Sequence, residues 1–176
     1  MLRIAILLLL LPAFAHAAEP QTLKVRVTGL FQADREKDLR ELCAEQLPDV
    51  KIVSVDFDRA EAVLSFDPAT VFPKVKPADI LKQLDQKVRT ESNGTFGIHP
   101  ASAVPRGKLT RIEIGVAGLD CKACCLAAYE IVAKIDGVEQ ATASFKVGVI
   151  TALIDPARTD KAKLEVALKQ RGVTLK

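Results

Sequence analysis

Gly118-Leu119-Asp120-Cys121-Lys122-Ala123-Cys124-Cys125 stands between two segments of different period. Ahead of it, the run Leu109–Val116 is apolar-rich and alternating, with Leu109, Ile112, Ile114 and Val116, and predicts a strand with one buried face. Behind it, Cys124–Ile135 reads as a helix. A strand that passes through a short loop into a helix delivers Cys121 and Cys124 to the first helical turn. The N–H groups there lack intrahelical acceptors and form the positive end of the macrodipole, and both effects favour thiolate over thiol. Two thiols three residues apart at such a place suit soft-metal or redox chemistry.

Beyond the helix, Val138–Phe145 and Val149–Ile154 alternate as strands around a turn at Lys146–Gly148. Lys161–Arg171 then predicts a helix, and Val173–Lys176 a short closing strand. The same order stands earlier in the chain. Residues 22–28 read as a strand ended by Gly29, and Ala33–Leu47 as an amphipathic helix with Leu39, Leu42, Cys43 and Leu47 at helical spacing. Val50–Phe57 and Ala62–Phe66 form a hairpin, Ala78–Val88 a helix behind Pro77, and Thr95–Ile98 a weak closing strand. Val50, Phe57 and Asp67-Pro68 are spaced as Val138, Phe145 and Asp155-Pro156 are, and Gly29 matches Gly118 to within one residue of register.

This is an internal repeat of a β-α-β-β-α-β unit, which defines an α+β chain of two tandem ferredoxin-like βαββαβ domains. Their expected bounds are 21–98 and 108–176, joined by a linker over 99–107 that holds two prolines and no periodicity. At the positions of Cys121 and Cys124 the first copy has Gln32 and Arg35. The thiol chemistry therefore belongs to one loop, not to the fold, and the first copy is read as a docking or dimerisation surface.

The N-terminus reads differently. Met1-Leu2-Arg3 supplies a positive start, Ile4–Leu11 an apolar run too short for a comfortable membrane span, and Ala15-His16-Ala17 a cleavage signature. Residues 1–17 are expected to be a secretory signal peptide, leaving a periplasmic or secreted protein that is not integral to the membrane. The rest of the composition, 49% hydrophobic and 27% charged, is that of a folded chain. A net charge of +3 without a cluster of basic and aromatic residues gives nucleic-acid binding no support. Of the four cysteines, Cys121, Cys124 and Cys125 lie within five residues, which is not the spacing of a disulfide-stapled scaffold. Cys43, among leucines on a helical face, reads as a small buried hydrophobe, and His99 as a solvated linker residue.

The segment Gly118–Cys124, followed by Gly137-Val138 and Gly172, resembles the heavy-metal-associated domain. That family includes copper chaperones, periplasmic mercury-binding proteins and the N-terminal modules of metal-exporting ATPases, and places Gly-Met-x-Cys-x-x-Cys between the first strand and first helix of a βαββαβ fold. The resemblance covers residues 108–176; the first copy matches in fold pattern only. It implies one soft metal ion held by Cys121 and Cys124, and as partner a metal-transporting membrane protein or another thiol-bearing metal protein. Leu119 stands in place of the family's Met, Tyr129 in place of its helix Glu, and Val173 where many bacterial copper chaperones have Tyr.

These departures bear on the metal. Two thiolates suit Cu(I), or Hg(II) by the resemblance, whereas Zn(II), Cd(II) or Pb(II) want further ligands and accept a carboxylate. Asp120 is a candidate for that ligand, as in the zinc, cadmium and lead modules the sequence resembles there, or else the cap of the helix. Cys125 is a second candidate, although its helical position turns it about 100° from Cys124. Two other classes remain open at this stage: a thiol–disulfide oxidoreductase, and a structural protein with an idle Cys121–Cys124 disulfide. Against the first, the element order is not thioredoxin's, and no paired carboxylates, Ser/His/Asp set or phosphate loop argues for another enzyme.

Overall fold

The computed structural model describes residues 20–176, so the expected signal peptide lies outside the described residues. The first unit runs β1 (Gln21–Thr28), α1 (Arg35–Gln46), β2 (Lys51–Asp56), β3 (Glu61–Phe66), a short α2 (Pro68–Val71), α3 (Ile80–Glu91) and β4 (Gly97–Pro100). The second runs β5 (Thr110–Gly115), α4 (Lys122–Ala133), β6 (Val138–Ser144), β7 (Val149–Ile154) and α5 (Lys161–Gln170). In the first sheet the order is β2-β3-β1-β4, all antiparallel. In the second it is β5-β7-β6. Both are the split βαβ pattern expected from the repeat.

Period-two burial sets each sheet against its helices. Val25 and Val27 of β1 and Ile150, Ala152 and Ile154 of β7 face inward and are at most 1% exposed. Leu39 and Cys43 of α1, with Ile80, Leu84 and Val88 of α3, close the first core. Burial pushes the Cys43 thiol up to about 11, the behaviour of an inert core residue. Val132 of α4, with Leu164 and Leu168 of α5, closes the second. The Asp-Pro repeat has one role in both units. Asp67 accepts from the N–H of Ala69 at 2.9 Å and Asp155 from that of Ala157 at 3.0 Å, each turning the chain after a strand.

Three sequence expectations need correction. The closing strand of the second unit shrinks to a single bridge, Val116 to Leu175, flanked by backbone bonds from Ala117 to Thr174 and from Lys176 to Gly115. The closing strand of the first unit reaches Pro100, so the connection begins at residue 101 and not at 99. His99 is consequently a half-buried strand residue paired in register with Arg26, not a solvated linker residue.

That placement makes His99 a source of acid sensitivity. Burial, with Arg26 and Arg89 close by, holds its pKa below the ordinary value of 6.5, although Asp85 opposes the shift. Arg89 Nη2 lies 3.3 Å from His99 Nε2. The unfolded chain therefore takes up a proton that the folded chain resists. The stability held above the ordinary value of 6.5 is lost as pH falls below it and through the depressed folded value. Urea midpoints at neutral and mildly acidic pH should differ, and His99→Gln should flatten this part of the slope.

The two units do not sit apart as beads on a tether. The loop after β1 is clamped onto the second unit. Gly29 N–H donates to the Tyr129 hydroxyl at 2.7 Å, and Ala143 N–H to the Phe31 carbonyl at 3.0 Å. Gln32 Nε2 donates to the Ala143 carbonyl at 3.1 Å. Gln140 is buried and donates to the carbonyls of Phe57 at 2.8 Å and Leu30 at 3.3 Å. A register shift in β6 between Val138 and Gln140 turns Glu139 toward Arg26. The Arg26 guanidinium binds the Glu139 carboxylate and the Val138 carbonyl, each at 3.0 Å. The Phe31 ring, 3% exposed, belongs to the second core, 5.6 Å from the ring of Tyr129.

Gly29 is held where no side chain fits. Its φ is +96°, and a Cβ there would stand 2.2 Å from the Thr95 carbonyl oxygen. Its counterpart Gly118 has φ +77° with nothing within 4 Å. Gly29→Ala should therefore cost about 2–3 kcal/mol through clash and strain. Gly118→Ala should cost only about 1 kcal/mol, for the left-handed backbone. Urea melts of the two variants test the difference.

Candidate metal site

The loop between β5 and α4 is built from its own residues. Gly118 turns the chain at positive φ, and Leu119, 5% exposed, drives its side chain into the second core. Cys121 then adopts extended geometry and is itself the N-cap of α4. Its sulfur accepts from the N–H of Cys124 at 3.1 Å, while its carbonyl accepts from Cys125 N–H at 3.0 Å. The cap is thus a cysteine and not Asp120, which corrects the alternative role considered for that residue.

Asp120, Cys121 and Cys124 place a carboxylate oxygen and two sulfurs within 4.8 Å of one another. Cys121 and Asp120 are exposed and Cys124 is partly buried. Asp120 Oδ1 lies 3.2 Å from Cys124 Sγ. In the structure Cys121 and Cys124 are joined as a disulfide with Cα atoms 5.2 Å apart. Reduction opens this ring to two sulfur donors on an exposed rim, with a hard oxygen donor beside them.

Cys125 lies elsewhere. It is fully buried in the second core, outside that three-residue group. Burial, then the negative charge of Asp120, raises its thiol pKa, with the Phe145 N–H opposing. Buried in the core, its sulfur stands apart from the converging donors, so this geometry does not meet the expectation of Cys125 as a further donor. The helical rotation that separates it from Cys124 is the cause.

The structure also brings in residues the sequence did not point to. Lys122, between the two cysteines, donates to Asp34 of the first unit at 2.6 Å. Beside that pair is a groove of about 540 Å³, lined by Phe31, Asp34, Lys122, Phe145 and Lys146 among others. Gln32 and Arg35, at the places of the missing cysteines, serve the interface instead. Gln32 bonds Ala143, and the Arg35 guanidinium lies over the rings of Phe96 at 4.9 Å and Phe31 at 5.5 Å. Polar and cationic residues at exhausted ligand positions were the available signal for this role.

No protein-family model matches the chain. A curated relative, copper-transporting ATPase 2 of Homo sapiens, is 23% identical over 166 residues, covering 86% of this chain. The alignment takes in only 11% of that ATPase. Among solved structures, oxidized MerP from Ralstonia metallidurans CH34 is 24% identical over 39% of this chain and 97% of its own, with a TM-score of 0.36. The N-terminal soluble domains of Bacillus subtilis CopA are 19% identical over 90% of this chain and 94% of their own, also with a TM-score of 0.36. With the strand order, the loop between β5 and α4 and its two thiols described, the chain carries the ferredoxin-like split βαβ fold twice, the thiol loop in the second copy alone.

Proposed function

We propose that this protein is an exported heavy-metal-binding protein that takes one soft metal ion onto Cys121 and Cys124, for transfer, buffering or resistance. The convergence of two sulfurs and a carboxylate oxygen at an exposed helix start carries this reading. The ion is cargo, and the site is built for exchange. An exposed two-thiolate rim lets an acceptor's thiols add before the first pair leaves. Loading displaces the protons of the two thiols, so acid weakens binding and disulfide closure removes it. Asp120 offers the third donor that Zn(II), Cd(II) or Pb(II) would use, whereas Cu(I) and Hg(II) need only the sulfurs. The acceptor is a metal-transporting membrane protein or another thiol-bearing metal protein, in the periplasm or outside the cell. The chain acts as a binding protein and not as an enzyme.

The test is titration of the reduced protein with Cu(I), Zn(II) and Hg(II) beside Cys121→Ser/Cys124→Ser. Equal affinity in the double variant would sink the site assignment. The Cys121–Cys124 disulfide favours a second reading, thiol–disulfide exchange. Insulin reduction by the parent, lost in the same variant and unaccompanied by metal binding, would support that one instead.

A further inference from the structure

The Asp34–Lys122 pair is the one ion pair, among the described residues, that reaches into the thiol loop. Both partners are more than half exposed, at 52% and 64%, and such a pair between free surface side chains would contribute little. Here the acidic partner is held in place. The segment carrying Asp34 is fixed to the second unit through Gly29, Leu30, Phe31 and Gln32, so the carboxylate stands at a set position beside the loop. Lys122 is pinned by its backbone between two cysteines of the same helical turn. Its ammonium bonds no other side chain among the described residues. Released, its flexible four-carbon stem could turn the cation toward Asp120 or the sulfurs, where it would occupy the charge an incoming metal ion needs.

We propose that Asp34 is a positioning residue for the thiol site: it holds the Lys122 ammonium on the first domain and keeps that cation off Asp120, Cys121 and Cys124. The first copy, having no thiols in its own loop, thus serves the second by controlling the charge beside them. The consequence for metal affinity rests on the metal-binding reading above, but the decisive readout does not.

That readout is the charge preference of thiol alkylation. The full chain, reduced, is modified by neutral iodoacetamide and by anionic iodoacetate, with the reacting cysteine assigned by mass spectrometry. Taking the ratio of the two rates within each variant cancels changes in folding and thiol exposure. Asp34→Asn should raise the iodoacetate-to-iodoacetamide ratio about threefold at low salt, the size of effect a partly exposed charge pair supports. The rise should fade near ~1 M salt, where screening is nearly complete at about 3 Å. Asp34→Glu should return the ratio to the parent's, and Asp34→Asn/Lys122→Met should abolish the rise. An unchanged ratio in Asp34→Asn overturns the proposal, as does a rise that survives loss of Lys122. In parallel, Asp34→Asn should weaken Zn(II) binding about threefold, with recovery in the double variant. No Zn(II) or Cu(I) binding by the parent would overturn the metal reading while leaving the alkylation result to stand or fall alone.

Discussion

Phe31→Ala is expected to cost about 4 kcal/mol and to split unfolding into two transitions, because a Phe-to-Ala change in a packed interior loses both transfer free energy and cavity contacts. Phe31 belongs to the first unit by sequence, yet its ring is 3% exposed inside the second core. Its carbonyl also completes the edge of β6 by accepting from Ala143. Truncation therefore weakens docking of the units more than it damages the core of its own unit. The control is Phe66→Ala, which removes a ring of the same kind from the first core, where it packs edge-on to Phe72 at 5.6 Å. That variant should destabilise the first unit while leaving the dock in place. Calorimetry and limited proteolysis across residues 101–105 separate the two outcomes. A single transition in Phe31→Ala, with a cost below about 1 kcal/mol, would mean that the ring is not the anchor.

The second large effect concerns the thiols. Cys121→Ser/Cys124→Ser should lower affinity for a soft ion by about three orders of magnitude or more, some 4 kcal/mol, since hydroxyls replace both sulfur donors and leave one carboxylate. Stability of the metal-free protein should change little. Cys121 is exposed, and serine can cap α4 in its place by accepting from the N–H of residue 124. Cys125→Ser is the informative contrast. It places a hydroxyl in a fully buried site, so it should reduce stability while leaving the Cys121 and Cys124 sulfurs able to bind. A Cys125→Ser variant that folded normally but lost affinity would return Cys125 to the ligand set.

Most of the architecture was readable from local chemistry. Period-two runs such as Val149–Ile154, helical spacing such as Ile80, Leu84 and Val88, and the recurring Asp-Pro after a hairpin all report interactions between near neighbours in the chain. The repeat then converted these local readings into a fold order. The candidate donors Asp120, Cys121 and Cys124 were legible for the same reason: all three lie within one loop and one helical turn. The capping role was not resolved, because Asp120 and Cys121 are both able to accept from the first turn. Backbone geometry at Cys121 decided it.

What the sequence by itself determined is the duplicated unit and the confinement of the Cys-x-x-Cys loop to its second copy. Both follow from residue pattern at short range. The tertiary structure alone decided what the first copy does there. Phe31 fills its neighbour's core, Gln140 spans the joint, and Asp34 reaches Lys122 across 88 positions of chain. No periodicity encodes contacts at that separation, since they depend on how two finished surfaces meet. The turn of Cys125 into the core belongs with them: a rotation of about 100° around α4 counts only once the helix has a packed side.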